Sequence, residues 1–289
     1  MIRRFFPGCA SLAFLRLDLP DPVAGGNKSF KLKYHLEIFG VMGGGSMLSF
    51  GGAWSNHIAA LAQAGKTHGI STIGVIRGEE LNAESNPVLK FAADCGMKLH
   101  FVSRAYYRQK HETDTTIDLL EQFGTVYIVP EGGSGDQGVR GCLEILTPEC
   151  DAFDEIFLPA GTGTTMAGIV QTAKAHQRVN GIAVVADQSL EEKISAMMYE
   201  EISCTWNLIH DFTLGGYANQ SDELVDFIRE MNTEFGLPLD HVYSGKALFA
   251  LHKMTTAGSF KRKNLLFIHT GGYAFAGQVN QQDHQGTRL

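Results

Sequence analysis

Short apolar runs rich in β-branched and aromatic residues recur along the chain: FLRLDL, SMLSFGG, STIGVIRG, KLHFVSR, TVYIVP, EIFLPAG, GIAVVAD and NLLFIHTGG. Each has the length and composition of a β-strand. Helix-like patterning fills most of the gaps, at residues 56–68, 86–95, 164–177 and 222–235. Strands that alternate with helices are joined by crossovers, and crossovers build parallel sheets. The pattern therefore predicts an α/β fold.

No motif repeats at a fixed period and no low-complexity stretch serves as a linker, so a second domain has to be inserted rather than strung on. Four strand–helix units occupy residues 44–145, after which LTPECDAFDE leads into a new strand at Glu155. The expectation is a smaller α/β domain, residues 44–145, inserted into a larger cofactor-binding domain made from residues 1–43 and 146–289. In such sheets ligands sit at the carboxyl ends of the strands.

Composition narrows the function. A chain of 289 residues that is 44% hydrophobic can bury a sizeable core, which argues against disorder. Its net charge of −7 comes from scattered residues, so the basic footprint of a nucleic-acid binder is missing and a small-molecule ligand fits better. The five cysteines are an odd number, far apart and without a C-x-x-C pair. That argues against a disulfide framework and a metal cluster, and fits a reducing cytoplasm. Arg3 and Arg4 precede an apolar stretch, as in an export signal, but Pro7 and Gly8 interrupt it and Arg16 and Asp18 end it. The segment reads as a first strand. No run approaches the roughly 20 apolar residues of a membrane-spanning helix.

Three segments could carry chemistry. In LPAGTGTTMAGIV a strand runs into Gly161, Thr162, Gly163, Thr164 and Thr165, and a helix opens there. Backbone N–H groups and hydroxyls gathered at a helix N-terminus make a phosphate cradle. The loop lacks the Gly-Lys-Ser/Thr ending of a Walker A motif; with Asp187 it loosely imitates a dinucleotide fingerprint, and a tight turn needs glycine in any case. In SFGGAWSNHIAALAQAGKTHG, Ser55, Asn56 and His57 open an alanine-rich helix, which taken alone reads as an N-cap with small residues for close packing.

The third segment is VAGGNKSFKLKYHL, where Gly25, Gly26 and Asn27 precede Lys28. Lysine is a nucleophile when its amine is neutral, which requires burial or a cationic neighbour. Lys28, Lys31 and Lys33 could equally be the solvated face of a helix, with Asn27 as its cap. Beside a phosphate cradle, however, a reactive lysine suggests a phosphate-bearing aldehyde, the chemistry of pyridoxal phosphate.

The segments GGNKSFKLKY, SFGGAWSNH, AGTGTTMAG, LGGY, VYSGKA and LLFIHTGG occur in the order seen in the 1-aminocyclopropane-1-carboxylate deaminase and D-cysteine desulfhydrase family, and the chain resembles that family from Leu15 to Gly272. The resemblance implies an enzyme that uses pyridoxal 5'-phosphate, with two parallel-sheet α/β domains of the tryptophan-synthase-β type, the smaller inserted into the larger. It implies that Lys28 binds the cofactor as a Schiff base and that Asn56 partners the ring hydroxyl. Ser55, Asn56 and His57 would gather the substrate carboxylate, and Gly161, Thr162, Gly163, Thr164 and Thr165 the phosphate. Tyr217 and Tyr243 match the two active-site tyrosines, and Thr270 falls near the pyridine nitrogen. Lys28, Ser55, Tyr217 and Tyr243 are the expected catalytic groups, and a homodimer is the family-level expectation.

Two positions discriminate within the family. Deaminases carry Glu after the second tyrosine and Leu after the histidine of the last motif, whereas this chain has Ser244 and Thr270, as in the desulfhydrases. A carboxylate facing the pyridine nitrogen makes a strong electron sink, needed to open a cyclopropane; a neutral hydroxyl suffices for α-proton removal and loss of hydrosulfide. Phe30 replaces the family's usual arginine. The expected reaction is elimination from a small amino acid, D-cysteine first, yielding pyruvate, ammonia and hydrogen sulfide. Ring-opening of 1-aminocyclopropane-1-carboxylate is the alternative. A dinucleotide-dependent oxidoreductase using Gly161, Gly163 and Asp187, or a non-catalytic ligand-binding protein, is more remote.

Overall fold

The computed structural model describes residues 6–213, 221–272 and 274–275. Its strands are β1 (Ser11–Arg16), β2 (Ser46–Gly52), β3 (Thr72–Arg77), β4 (Lys98–Val102), β5 (Val126–Val129), β6 (Glu155–Ala160), β7 (Arg178–Ala183), β8 (Thr205–Ile209) and β9 (Asn264–His269). The helices are α1 (Asn27–Met42), α2 (Asn56–His68), α3 (Pro87–Asp94), α4 (Arg104–Arg108), α5 (Thr113–Phe123), α6 (Asp136–Cys142), α7 (Thr164–Thr172), α8 (Leu190–Ala196), α9 (Asp222–Phe235) and α10 (Ser244–Thr256). They form two compact units, residues 1–30 with 139–289, and residues 31–138. The units divide within α1 and α6, whereas the expected divisions fall at 43/44 and 145/146. A continuous helix shows no composition change from which such a boundary can be read.

In the first unit a five-stranded parallel sheet has the order β1-β9-β6-β7-β8. Both of its faces are covered. On β6, Ile156 and Leu158 enter one core with Met166, Ile169 and Val170 of α7 and Ile194 of α8. Phe157, between them, enters the other with Leu224 and Met231 of α9 and Leu248 and Leu251 of α10. This alternation is the two-residue period of a strand, and covering both faces is why the runs read as nearly continuous apolar sequence. Phe30 packs, half-buried, against the α7 side.

The second unit holds a four-stranded parallel sheet in the order β4-β3-β2-β5. One face buries Leu32 and Phe39 of α1, Leu61 of α2 and Leu89 of α3; the other buries Tyr107 of α4 and Leu119 of α5.

Every expected strand is present, but β1 and β7 begin before FLRLDL and GIAVVAD do. On β1 the pairing ends at Arg16, opposite His269, and Asp18 turns back to bind Arg16. β8, TWNLI, gave no strand signal because it is a half-buried edge strand interrupted by Asn207. The helix expected over 164–177 stops at Thr172, where Ala173 turns extended and Gln177 Oε1 accepts the N–H of Lys174.

Candidate active site

The turn that delivers Lys28 is built on the ends of β1 and β9. Gly26 N–H donates to Leu17 O (2.9 Å) and Asn27 N–H to Thr270 O (3.1 Å). Gly26 has φ +65°, and a Cβ there would lie 2.2 Å from Thr270 O, so only glycine fits. The glycine pair thus serves close approach of backbone to backbone.

Behind Thr270 lies a buried ionic cluster. Arg16 donates to both carboxylate oxygens of Asp18, at 2.7 and 2.5 Å, and His269 Nδ1 stands 3.2 Å from Asp18 Oδ1. His269 Nε2 donates to Pro238 O at 2.7 Å, since a carbonyl can only accept. Burial pushes the Asp18 carboxyl up, but the Arg16 hydrogen bond and the charges of His269 and Arg16 outweigh it and hold it below its ordinary value.

Lys28 is half-buried, and its amine donates to Asn27 Oδ1 at 2.8 Å. Asn27 Nδ2 in turn donates to Thr165 Oγ1 at 2.8 Å, in the first turn of α7. A continuous polar chain therefore links the lysine to the glycine–threonine turn, with Asn27 and Thr165 standing 138 residues apart in sequence. Asn27 begins α1 itself instead of capping it, and its side chain is the link.

Gly163 occupies the N-cap of α7 with φ +81° and supplies no side-chain cap. Around it Thr162 Oγ1 and Thr164 Oγ1 lie 3.2 Å apart, and Thr164 and Thr165 are buried. The ring of Tyr243 lies against Gly161: a Cβ on Gly161 would come within 2.9 Å of Tyr243 Cε1.

Tyr243 and Ser244 open α10, and both are fixed by Asp240. Its carboxylate accepts from the N–H groups of Val242 (2.8 Å), Tyr243 (2.5 Å) and Ser244 (2.8 Å) and from the Ser244 hydroxyl (2.6 Å). Ser244 Oγ, its hydrogen spent, is left as an acceptor. Lys246, fully buried, donates to Thr213 O at 3.1 Å, and burial pushes its amine below its ordinary value against the opposing Asp240 charge. Tyr217 lies outside the described residues.

In the second unit, Ser55 is the N-cap of α2 and accepts the Ile58 N–H at 3.3 Å; Asn56, half-buried, begins the helix. His57 is turned inward, with Nε2 2.9 Å from Ser49 Oγ. Ser49 gives its own hydrogen to Val129 O at 2.8 Å, so His57 carries its proton on Nε2. Lys31, expected on a solvated helix face, is buried and donates to Gly132 O at 3.1 Å, whereas Lys33 is exposed.

Asp187 does not offer a ribose site. It accepts from Lys193 Nζ (2.6 Å), Ser189 Oγ (2.7 Å) and Ser189 N–H (3.0 Å) before α8, and the Lys193 and Ser189 hydrogen bonds hold its carboxyl down to about 2. Sequence reasoning missed Asp240, Lys246 and the Arg16–Asp18–His269 cluster. The only signal was a buried-polar residue close to a motif, such as Asp240 four positions before Ser244.

A family model described as pyridoxal-phosphate dependent enzyme matches residues 5–271. A Thermotoga maritima protein with the provisional name 1-aminocyclopropane-1-carboxylate deaminase is 31% identical, over 89% of this chain and 87% of its own. The bifunctional D-cysteine desulfhydrase/1-aminocyclopropane-1-carboxylate deaminase of Arabidopsis thaliana is 27% identical, over 92% of this chain and 73% of its own. Among solved structures, an ACC deaminase homologue superposes with a TM-score of 0.82 at 25% identity, covering 97% of this chain and 90% of that one.

Proposed function

The chain belongs to the pyridoxal-phosphate dependent enzyme family, and from that premise we propose a cytoplasmic, homodimeric lyase that eliminates the β-substituent of a small amino acid, D-cysteine first. One water is consumed, and cysteine becomes pyruvate, ammonia and hydrogen sulfide. The observation that carries this reading is the polar chain from Lys28 through Asn27 to Thr165. It ties a reactive amine to a helix N-terminus suited to a phosphate monoester.

The residues present fit the cofactor. α7 has a glycine cap with no capping side chain and carries the hydroxyls of Thr162, Thr164 and Thr165 in its first turn or just before it. Backbone N–H groups and a positive helix end complement a phosphate dianion. When bound, pyridoxal phosphate supplies a conjugated ring that accepts the electron pair left at Cα.

In this reading Lys28 takes the Cα proton of the substrate once its amine is released, and Asn27 Oδ1 keeps that amine in place. Tyr243, held by its backbone bond to Asp240, reaches the substrate, and Thr270 O and the Gly26 turn fix where Lys28 begins. Ser55, Asn56 and Tyr217 are proposed to bind substrate and cofactor by their match to the family motifs, and His57 to do so through its backbone N–H, since its ring is held by Ser49. Among the described residues no helix is long and apolar enough to cross a membrane.

Ring-opening of 1-aminocyclopropane-1-carboxylate is a second reading, favoured by Asp240. Its carboxylate stands 2.6 Å behind Ser244 Oγ, so the deaminases' charge, absent at position 244, is present one hydrogen bond away. Pyruvate or 2-oxobutanoate release from D-cysteine, L-cysteine, D-serine and the cyclopropane amino acid separates the two. Turnover of D-cysteine is expected; turnover of the cyclopropane alone overturns the first reading.

A further inference from the structure

The neighbours of Asn27 fix which way its amide points. An ammonium has donors only, so the Asn27 atom 2.8 Å from Lys28 Nζ is the carbonyl oxygen. The amide nitrogen then faces Thr165 Oγ1 at 2.8 Å, and an amide NH2 only donates. Thr165 therefore accepts from Asn27 and keeps its own hydroxyl hydrogen for another acceptor. The donors run in one direction, out of Lys28, through Asn27 and on to Thr165. The backbone of Asn27 is pinned by its bond to Thr270 O, and the residue is buried, so its side chain cannot swing out of this path.

Hydrogen bonds aligned head to tail polarise one another. An anion in the glycine–threonine cradle that accepts the Thr165 hydroxyl hydrogen makes Thr165 Oγ1 a better acceptor for Asn27. Asn27 Oδ1 thereby becomes a better acceptor for Lys28. We propose that Asn27 couples Lys28 to the occupancy of the cradle, so that a bound phosphate group tightens the hold on the lysine amine.

The coupling is reciprocal by linkage, and a held ammonium also strengthens phosphate binding. During turnover Asn27 is the resting place of the released amine, which can give one N–H to Oδ1 and direct its lone pair elsewhere. Asn27 touches the reacting nitrogen and is in that sense catalytic. The inference rests on the proposed assignment of Lys28 and residues 161–165.

The test uses the full chain, freed of pyridoxal phosphate by dialysis against hydroxylamine, with inorganic phosphate as probe. Reductive methylation is followed at Lys28 by peptide mass spectrometry, with exposed Lys66 as reference. Saturating phosphate is expected to slow Lys28 about fivefold or more in the unaltered protein, but less than about twofold in Asn27→Ala and Thr165→Val. Thr165→Ser, which keeps the hydroxyl, is expected to restore the effect. The two disabling variants lie on different helices, so a folding failure in one leaves the other to decide. Equal slowing in all the proteins would show a through-space effect and overturn the proposal, as would no slowing in the unaltered chain. Uptake of pyridoxal phosphate, measured alongside, separates the readings: uptake without Asn27-dependent slowing sinks this inference alone, and no uptake sinks the proposed function as well.

Discussion

Ser244 and Asp240 exchange two hydrogen bonds at the start of α10: the Ser244 hydroxyl donates to Asp240 Oδ2 at 2.6 Å, and the Asp240 N–H donates to Ser244 Oγ at 3.1 Å. The same carboxylate takes three further N–H groups, so one buried anion satisfies the positive end of a helix. Asp240→Ala is expected to cost about 2–4 kcal/mol in urea unfolding, and Asp240→Asn less, because the amide keeps one acceptor oxygen. A loss within about 0.5 kcal/mol for the alanine variant would contradict this role.

Gly26 and Gly69 have nearly the same backbone, φ +65° and +67°, but different surroundings. A Cβ on Gly26 would lie 2.2 Å from Thr270 O, whereas one on Gly69 would meet nothing within 4 Å. Gly69→Ala should cost about 1–2 kcal/mol, the strain of the left-handed conformation alone. Gly26→Ala should cost at least about 3 kcal/mol and displace Lys28, with loss of cofactor uptake. Thermal unfolding of the two variants side by side measures the difference; equal shifts in Tm would show that the contact with Thr270 does not matter.

Gly161 tests the position of Tyr243. Adding a methyl group 2.9 Å from Cε1 pushes the tyrosine ring without touching the core. Gly161→Ala should weaken pyridoxal phosphate binding about tenfold, the equivalent of the ~1–2 kcal/mol that a displaced side chain costs. Fluorescence titration reads this directly, and unchanged affinity would place the ring outside the cofactor site.

His35 gives the second unit a pH dependence. Burial lowers its imidazole to about 4, and it stays neutral in the fold with Nδ1 2.8 Å from the Tyr127 hydroxyl. The unfolded chain binds a proton near pH 6.5, so stability is full above that value and falls as pH drops toward 4. The loss amounts to roughly 3 kcal/mol. Denaturant unfolding of the unaltered chain and His35→Gln between pH 7.5 and 4.5 should show this slope only in the former. The same slope in both would assign the dependence to other groups.

Much of the fold was legible because both sheets are covered on both faces. Their central strands, such as EIFLPA and TIGVIR, are nearly unbroken apolar runs, and Ser55 and Gly69 mark the ends of α2 in the sequence. β8 was not legible, because this half-buried edge strand is short and its apolar run is broken by Asn207. Lys28 and the 161–165 turn could be singled out, since glycines beside chemically active residues restrict what a segment can be. Asn27 could not be assigned more than a cap, because its partner Thr165 is brought to it by the sheet. Lys31 and Lys33 look alike in sequence, yet one is buried and the other exposed. Only the packing of α1 distinguishes them.

Whether Lys28 is the lysine that binds pyridoxal phosphate is read by incubating the protein with the cofactor, reducing with borohydride and mapping the modified peptide by mass spectrometry. One pyridoxyl phosphate group is expected, on Lys28, with loss of the visible absorption band and of the modification in Lys28→Ala. Stable modification at Lys31, Lys246 or scattered surface lysines, with Lys28 unlabelled, would contradict that assignment.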